Sequence, residues 1–234
     1  MTFYPTECTS DLDVVFIIDG SGSIRDANPA DGSFDNWNLL LTFVANIVDN
    51  LPVSASGTHV AAVVFSDMGE LLFPLYQYTD HAAVRRAILN TAYPGGNTNT
   101  SGGLYIARSR VFTAQNGDRP QIPNVAIVVT DGKSTFDHQK TVPYAEDLRN
   151  DGVEVITIGI TNSIDELELK SMSSLPQQQH SNYFTSASFQ ELEDVMAGLV
   201  QTACVGTPAP PRSKCLILTY WFIVNWYMFF FILD

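Results

Sequence analysis

Basic residues are scarce in this chain. Only 12 Lys+Arg stand against 25 Asp+Glu, for a formal net charge of −13, and no Lys/Arg run or basic stripe occurs. That excludes the electrostatic footprint of a nucleic-acid binder. The histidines His59, His81, His138 and His180 are scattered, with no close pair suited to zinc. No Gly-x-Ser-x-Gly nucleophile elbow is present, and Gly20-Ser-Gly-Ser lacks the Gly-Lys-Ser/Thr that completes a phosphate loop. Asp11 and Asp13 precede a strand pattern rather than follow one, and the Lys and Thr loops of an aspartate-nucleophile phosphatase are not evident. The expectation is a chain that is not an enzyme.

Cysteine is scarce too. Cys8 lies just before the first strand pattern, Cys204 just after the last helical pattern, and Cys215 is left over. The termini of a compact domain often lie close together. Cys8 and Cys204 are therefore either bridged, which would place the domain in an oxidising compartment, or two unrelated free thiols. Residues 1–7 carry neither the basic n-region nor the apolar h-region of a signal peptide. A secreted chain then requires that the sequence is a fragment or has another start.

What is present is an alternation of strand and helix patterns. Strands are expected over 13–18, 59–65, 70–75, 124–130, 153–160 and 182–185, and helices over 36–50, 80–91, 101–115, 141–150, 164–173 and 188–202. Val14 to Ile18 form an unbroken apolar run, the signature of a strand buried on both faces. Trp37, Leu40, Leu41, Val44, Ile47 and Val48 recur at spacings of three and four and define one apolar helix face. Ser188 with Glu191 has the capping-box spacing, and Asp151-Gly152 ends the preceding helix. The close pair 59–65 and 70–75 reads as an antiparallel hairpin at a sheet edge. The rest is βαβ alternation. The fold class expected is α/β: a doubly wound, mostly parallel six-stranded sheet with one antiparallel edge strand and helices on both faces.

Residues 1–10 are then an N-terminal lead, 11–203 one α/β domain and 204–215 a Pro-rich linker. Residues 216–233 are almost wholly apolar, and a helix of this length spans about 27 Å. Three readings stay open for them: a membrane anchor, the removed tail of a lipid-anchor signal, or noncoding sequence read through. Arg212 and Lys214 precede the segment and only Asp234 follows it. The positive-inside tendency would leave the main domain in the cytoplasm and keeps an intracellular, tail-anchored regulatory or assembly module as an alternative.

The most informative stretch is Asp13-Val-Val-Phe-Ile-Ile-Asp-Gly-Ser-Gly-Ser-Ile24. The buried run ends in a carboxylate, Asp19, followed by hydroxyls at alternate positions, Ser21 and Ser23, on a glycine-relieved loop. Ligands of open α/β sheets bind at the carboxyl ends of strands. A hard divalent cation takes oxygen donors of this kind. The run 125–130 likewise ends in a carboxylate, Asp131 of Thr-Asp-Gly, and a parallel sheet puts Asp19 and Asp131 on one edge. The loop Gly95-Gly-Asn-Thr-Asn-Thr-Ser-Gly-Gly103 supplies Thr98 between them. Its Asn99-Thr-Ser sequon lies inside the loop and is expected to stay unmodified.

On these motifs the chain resembles the von Willebrand factor type A domain over residues 11–203, and within that family the extracellular-matrix branch of matrilins, collagen type VI and shell-matrix proteins. The resemblance implies a Rossmann-like fold and an intact metal-ion-dependent adhesion site of Asp19, Ser21, Ser23, Thr98 and Asp131. It implies Mg2+ as cofactor, with Mn2+ or Ca2+ as substitutes, bound directly by the serines and the threonine and partly through water by the aspartates. It implies an adhesive, non-enzymatic protein, secreted or membrane-anchored outside the cell. The expected partner is a matrix protein or cell-surface receptor that supplies a Glu or Asp to the metal. The placement of Cys8 and Cys204 resembles the bridge that closes many extracellular members. Collagen-binding integrins carry an extra short helix near the metal face; only residues 116–123 are available for it here, which is too little.

Overall fold

The apolar run that opens the domain becomes β1 (Asp13–Asp19), and all of its residues are buried. In the computed structural model it lies inside a six-stranded sheet of order β3-β2-β1-β4-β5-β6. The other strands are β2 (His59–Phe65), β3 (Gly69–Phe73), β4 (Asn124–Thr130), β5 (Glu154–Ile160) and β6 (Tyr183–Ser186). Every neighbouring pair is parallel except β2–β3, the expected antiparallel edge. The structure describes residues 11–161, 163–175, 181–192, 199, 202 and 203.

Alternate side chains of β1 serve two cores. Val14, Phe16 and Ile18 pack with α2 (Asn36–Asp49) and α3 (His81–Leu89). Val15 and Ile17 pack with α4 (Thr100–Ile106), α5 (His138–Asn150) and α6 (Glu166–Met172). This is why β1 has no polar position between Asp13 and Asp19. Each fully buried aliphatic or aromatic side chain contributes about 1.5–3 kcal/mol. Helix α2 buries Trp37, Leu40, Leu41, Val44, Ile47 and Val48 on the predicted face, and Asp35 caps it by accepting from Trp37 N.

Local expectations differ from the structure in four places. A five-residue helix α1 (Gly22–Asp26) follows β1; it is too short to carry a readable period. The helix expected over 101–115 is α-helical only to Ile106, then widens into a π turn (Ala107–Val111) that keeps Ala107 and Val111 buried, with a 3-10 turn at Ala114–Asn116 beyond it. Helix α5 starts at His138, a turn earlier than expected, and contains Pro143. Ser188 precedes a 3-10 turn (Phe189–Glu191) without capping it through its side chain. The rest of the helix expected over 188–202 lies mostly outside the described residues, as do Cys8, Cys204, Cys215, the linker and residues 216–233. Among the described residues no helix is long and apolar enough to cross a membrane.

At the amino edge of the sheet, Asp13 is fully buried and is met by one arginine. Arg119 donates from Nε and Nη2 to Asp13 Oδ1 (2.9 and 2.6 Å) and from its backbone N to Oδ2 (2.8 Å). The same guanidinium reaches the carbonyls of Gly57 and Leu12 at 2.8 and 2.9 Å. Burial raises the Asp13 carboxyl above its usual range, and the arginine opposes that shift. The pair ties the loop before β4 to the start of β1.

Candidate functional site

The register of β1 against β4 builds the opposite edge. Asp13 pairs with Asn124 and Ile18 with Val129, so one step further Asp19 faces Thr130 and Asp131 stands just past the strand end. Thr130 Oγ1 donates to Asp19 Oδ2 at 2.5 Å. The other Asp19 oxygen, Oδ1, accepts from Ser21 N at 2.8 Å, which curls the loop back over the strand end. Ser21 Oγ and Ser23 Oγ lie 3.0 Å apart, and Ser23 Oγ donates to Asp131 Oδ1 at 2.7 Å. Asp19, Ser21, Ser23 and Asp131 thus form one connected cluster.

Thr98 joins through its backbone. Its N–H donates to Thr135 Oγ1 at 3.0 Å, and its carbonyl accepts from Thr135 N and Phe136 N at 2.9 and 3.3 Å. Its hydroxyl makes no hydrogen bond to the other four side chains among the described residues. The Thr98 loop is held on its far side by Asp67, whose Oδ1 accepts from Asn97 N (2.9 Å) and Asn97 Nδ2 (2.7 Å). Gly96, at φ 101°, passes so close to Asp67 that a Cβ would sit 2.9 Å from Oδ1. Gly20 is forced by the same crowding: a Cβ there would lie 2.6 Å from the Pro94 ring. The Asn99 amide is buried and engaged with Asp67 O, Gly102 N and Ser101 Oγ, which supports an unmodified sequon.

Tyr93 closes the near side. Its hydroxyl donates to the carbonyls of Ser21 and Gly22 at 2.7 and 3.2 Å. The ring packs 5.5 Å from Trp37 and lies under the Arg25 guanidinium at 4.3 Å. Tyr93, Asp67, Thr130 and Thr135 were not identified from the sequence. Only Thr130 carried a signal, as a hydroxyl residue ending an otherwise aliphatic strand. The others act through contacts between residues far apart in the chain.

The electrostatics are those of a site short of positive charge. Asp19 is fully buried and Asp131 is 3% exposed. Burial, then the charge of Asp19, pushes Asp131 up to about 7, against the opposing Ser23 hydrogen bond. Burial also raises Asp19, opposed by its bonds from Thr130 and Ser21. Among the described residues no Lys, Arg or His pairs with either carboxylate. Buried carboxylates without a counter-charge are costly unless a cation joins them. Nor do three His, Cys, Asp or Glu side chains converge anywhere among these residues. The donor set is therefore carboxylate and hydroxyl oxygen. It suits a hard divalent cation such as Mg2+ and lacks the His and Cys of ordinary zinc sites.

A profile of the von Willebrand factor type A domain matches residues 13–198. The chain is 32% identical over 196 residues to matrilin-1 of Gallus gallus, covering 84% of this chain and 37% of that one. It is 31% identical over 197 residues to the collagen alpha-4(VI) chain of Mus musculus, covering 83% of this chain and 8% of that one. Among solved structures, proximal thread matrix protein 1 of the mussel byssus, with a zinc-occupied MIDAS motif, superposes with a TM-score of 0.75 at 29% identity. That match covers 85% of this chain and 47% of the mussel one. The chain thus spans little more than a third of matrilin-1 and under half of the mussel protein.

Proposed function

The chain belongs to the von Willebrand factor type A domain family, and on that premise we propose that it is a non-enzymatic protein-binding module of the extracellular matrix whose binding depends on a divalent cation. Asp19, Ser21, Ser23, Thr98 and Asp131 hold the cation, with the three hydroxyls as direct ligands and the two aspartates as charge and water-mediated anchors. The observation that carries this reading is the hydrogen-bonded cluster at the carboxyl edge of the sheet: two serine hydroxyls and two buried carboxylates that no basic side chain pairs with among the described residues. A cation held by few direct carboxylates keeps excess positive charge and attracts a further anion. The partner then supplies a Glu or Asp, from a matrix protein or a cell-surface receptor. Mg2+ is the ion the donors favour, with Mn2+ or Ca2+ able to replace it.

Residues 11–203 act as the module, 204–215 as a linker, and 216–233 as an anchor if a membrane is involved. In an oxidising setting Cys8 and Cys204 close the module as a disulfide. Native material is expected to show one free thiol, that of Cys215, and three would refute the bridge. The central test is binding of the protein to a panel of matrix proteins in Mg2+ and again in EDTA. Binding lost in EDTA and in Asp131→Ala, with the circular-dichroism spectrum of that variant unchanged, is the expected result. Full binding by Asp131→Ala in Mg2+ would overturn the mechanism.

A further inference from the structure

Helix α6 lies outside the three loops that carry the candidate ligands, yet one of its side chains reaches into the cluster's support. Glu168 Oε1 accepts from Ser134 N at 3.0 Å and from Ser134 Oγ at 2.9 Å. Ser134 Oγ also accepts at 2.9 Å from Oγ1 of Thr141, a buried residue of α5. Ser134 is 5% exposed and sits three residues past Asp131. The next residue, Thr135, makes the reciprocal bonds with Thr98: Thr98 N to Thr135 Oγ1 and Thr135 N to Thr98 O. Phe136 N adds a third. A single carboxylate oxygen thus anchors the loop that links Asp131 to Thr98. Without that anchor, the Ser134 backbone N–H loses its partner, and the loop 132–136 is left with its bonds to Thr98, the Thr130 hydroxyl at Gly132 and the Thr141 hydroxyl at Ser134 Oγ.

We infer that Glu168 is a positioning residue for the cation site: through Ser134 and Thr135 it sets the place of Thr98 relative to Asp131. The inference rests on the reading of the cluster as a cation site and deepens it. Glu168 acts here as a hydrogen-bond acceptor, so its geometry matters and its charge does not. Glutamine keeps an acceptor oxygen in the same place, whereas alanine removes it. Groups that orient the ligands of a metal without touching it affect its affinity by about 10–100-fold.

The test uses the full chain and Mg2+ or Mn2+ alone as the probe, with affinity measured by calorimetry. Glu168→Ala is expected to weaken cation binding by about tenfold or more, and Glu168→Gln to bind within about threefold of the unaltered chain. Amide hydrogen exchange in EDTA gives a second readout. Glu168→Ala should lose protection at Ser134, Thr98, Thr135 and Phe136, and leave the amides of β1 and β4 as they were. Unchanged affinity in Glu168→Ala, or equal loss in Glu168→Gln, would overturn the inference, the latter because charge rather than placement would then be at work. If the unaltered chain binds neither ion, the cation reading itself fails. Exchange then decides alone: unchanged protection at those four amides in Glu168→Ala refutes the positioning role.

Discussion

Asp131→Asn should stabilise the cation-free protein while it cripples cation binding. The side chain is buried, and its carboxyl is raised from 3.8 to about 7, first by that burial and then by Asp19. A raised carboxyl means that the folded state holds a proton the unfolded state gives up. The protonated group's stabilisation is complete below the unfolded value and is lost as pH rises through about 7. Three units at about 1.4 kcal/mol each give about 4 kcal/mol as the full cost of ionising Asp131 in the fold. Relaxation and water near the loops reduce this, and about 2 kcal/mol is the gain expected for asparagine at pH 8 in EDTA. Asparagine keeps an Oδ1 to accept from Ser23, so the local bond survives. For a domain of this size the gain raises the melting temperature by about 4–8 °C. The measurement is thermal unfolding of both proteins in EDTA between pH 4 and pH 8. The two curves should converge at the acid end and separate above it. In saturating Mg2+ the order should invert, because only the parent gains binding energy from the ion. A variant less stable than the parent in EDTA at pH 8 would refute the claim that the cluster is a strained, cation-seeking site.

Two further outcomes follow from the geometry. Tyr93→Phe removes the bonds to Ser21 O and Gly22 O but keeps the ring against Trp37 and Arg25; it should cost about 1 kcal/mol in EDTA and weaken Mg2+ affinity severalfold, and calorimetry showing unchanged affinity would free the loop from this tyrosine. Arg119→Ala leaves Asp13 buried without its partner and should cost about 3–5 kcal/mol at neutral pH in chemical denaturation; because burial already raises Asp13, the loss should shrink as pH falls and the carboxyl takes up a proton, and a loss independent of pH would refute the pairing argument.

Much of this protein can be read from the chain alone, because the relevant signals are local. Val14 to Ile18 are uninterrupted apolar residues, and only a strand covered on both faces makes that pattern stable in water. The spacing from Trp37 to Val48 names a helix and its buried face, and the short Ser66-Asp-Met-Gly69 stretch after the apolar run 59–65 names the hairpin. The candidate ligands are legible too, since Asp19 and Asp131 each end a buried run and parallel strands deliver both ends to one edge. The single-turn α1 and the π turn after Ile106 leave no such trace, being shorter than a readable period. Tertiary structure alone decided how the candidate ligands are held. That Thr130 meets Asp19 follows from the register of β1 on β4, and that Tyr93, Asp67 and Glu168 brace three separate loops follows from helix and strand packing across long stretches of chain. A hydrogen bond between residues far apart in sequence has no local pattern to announce it; it exists only once the two cores on either side of the sheet have fixed where each loop must end.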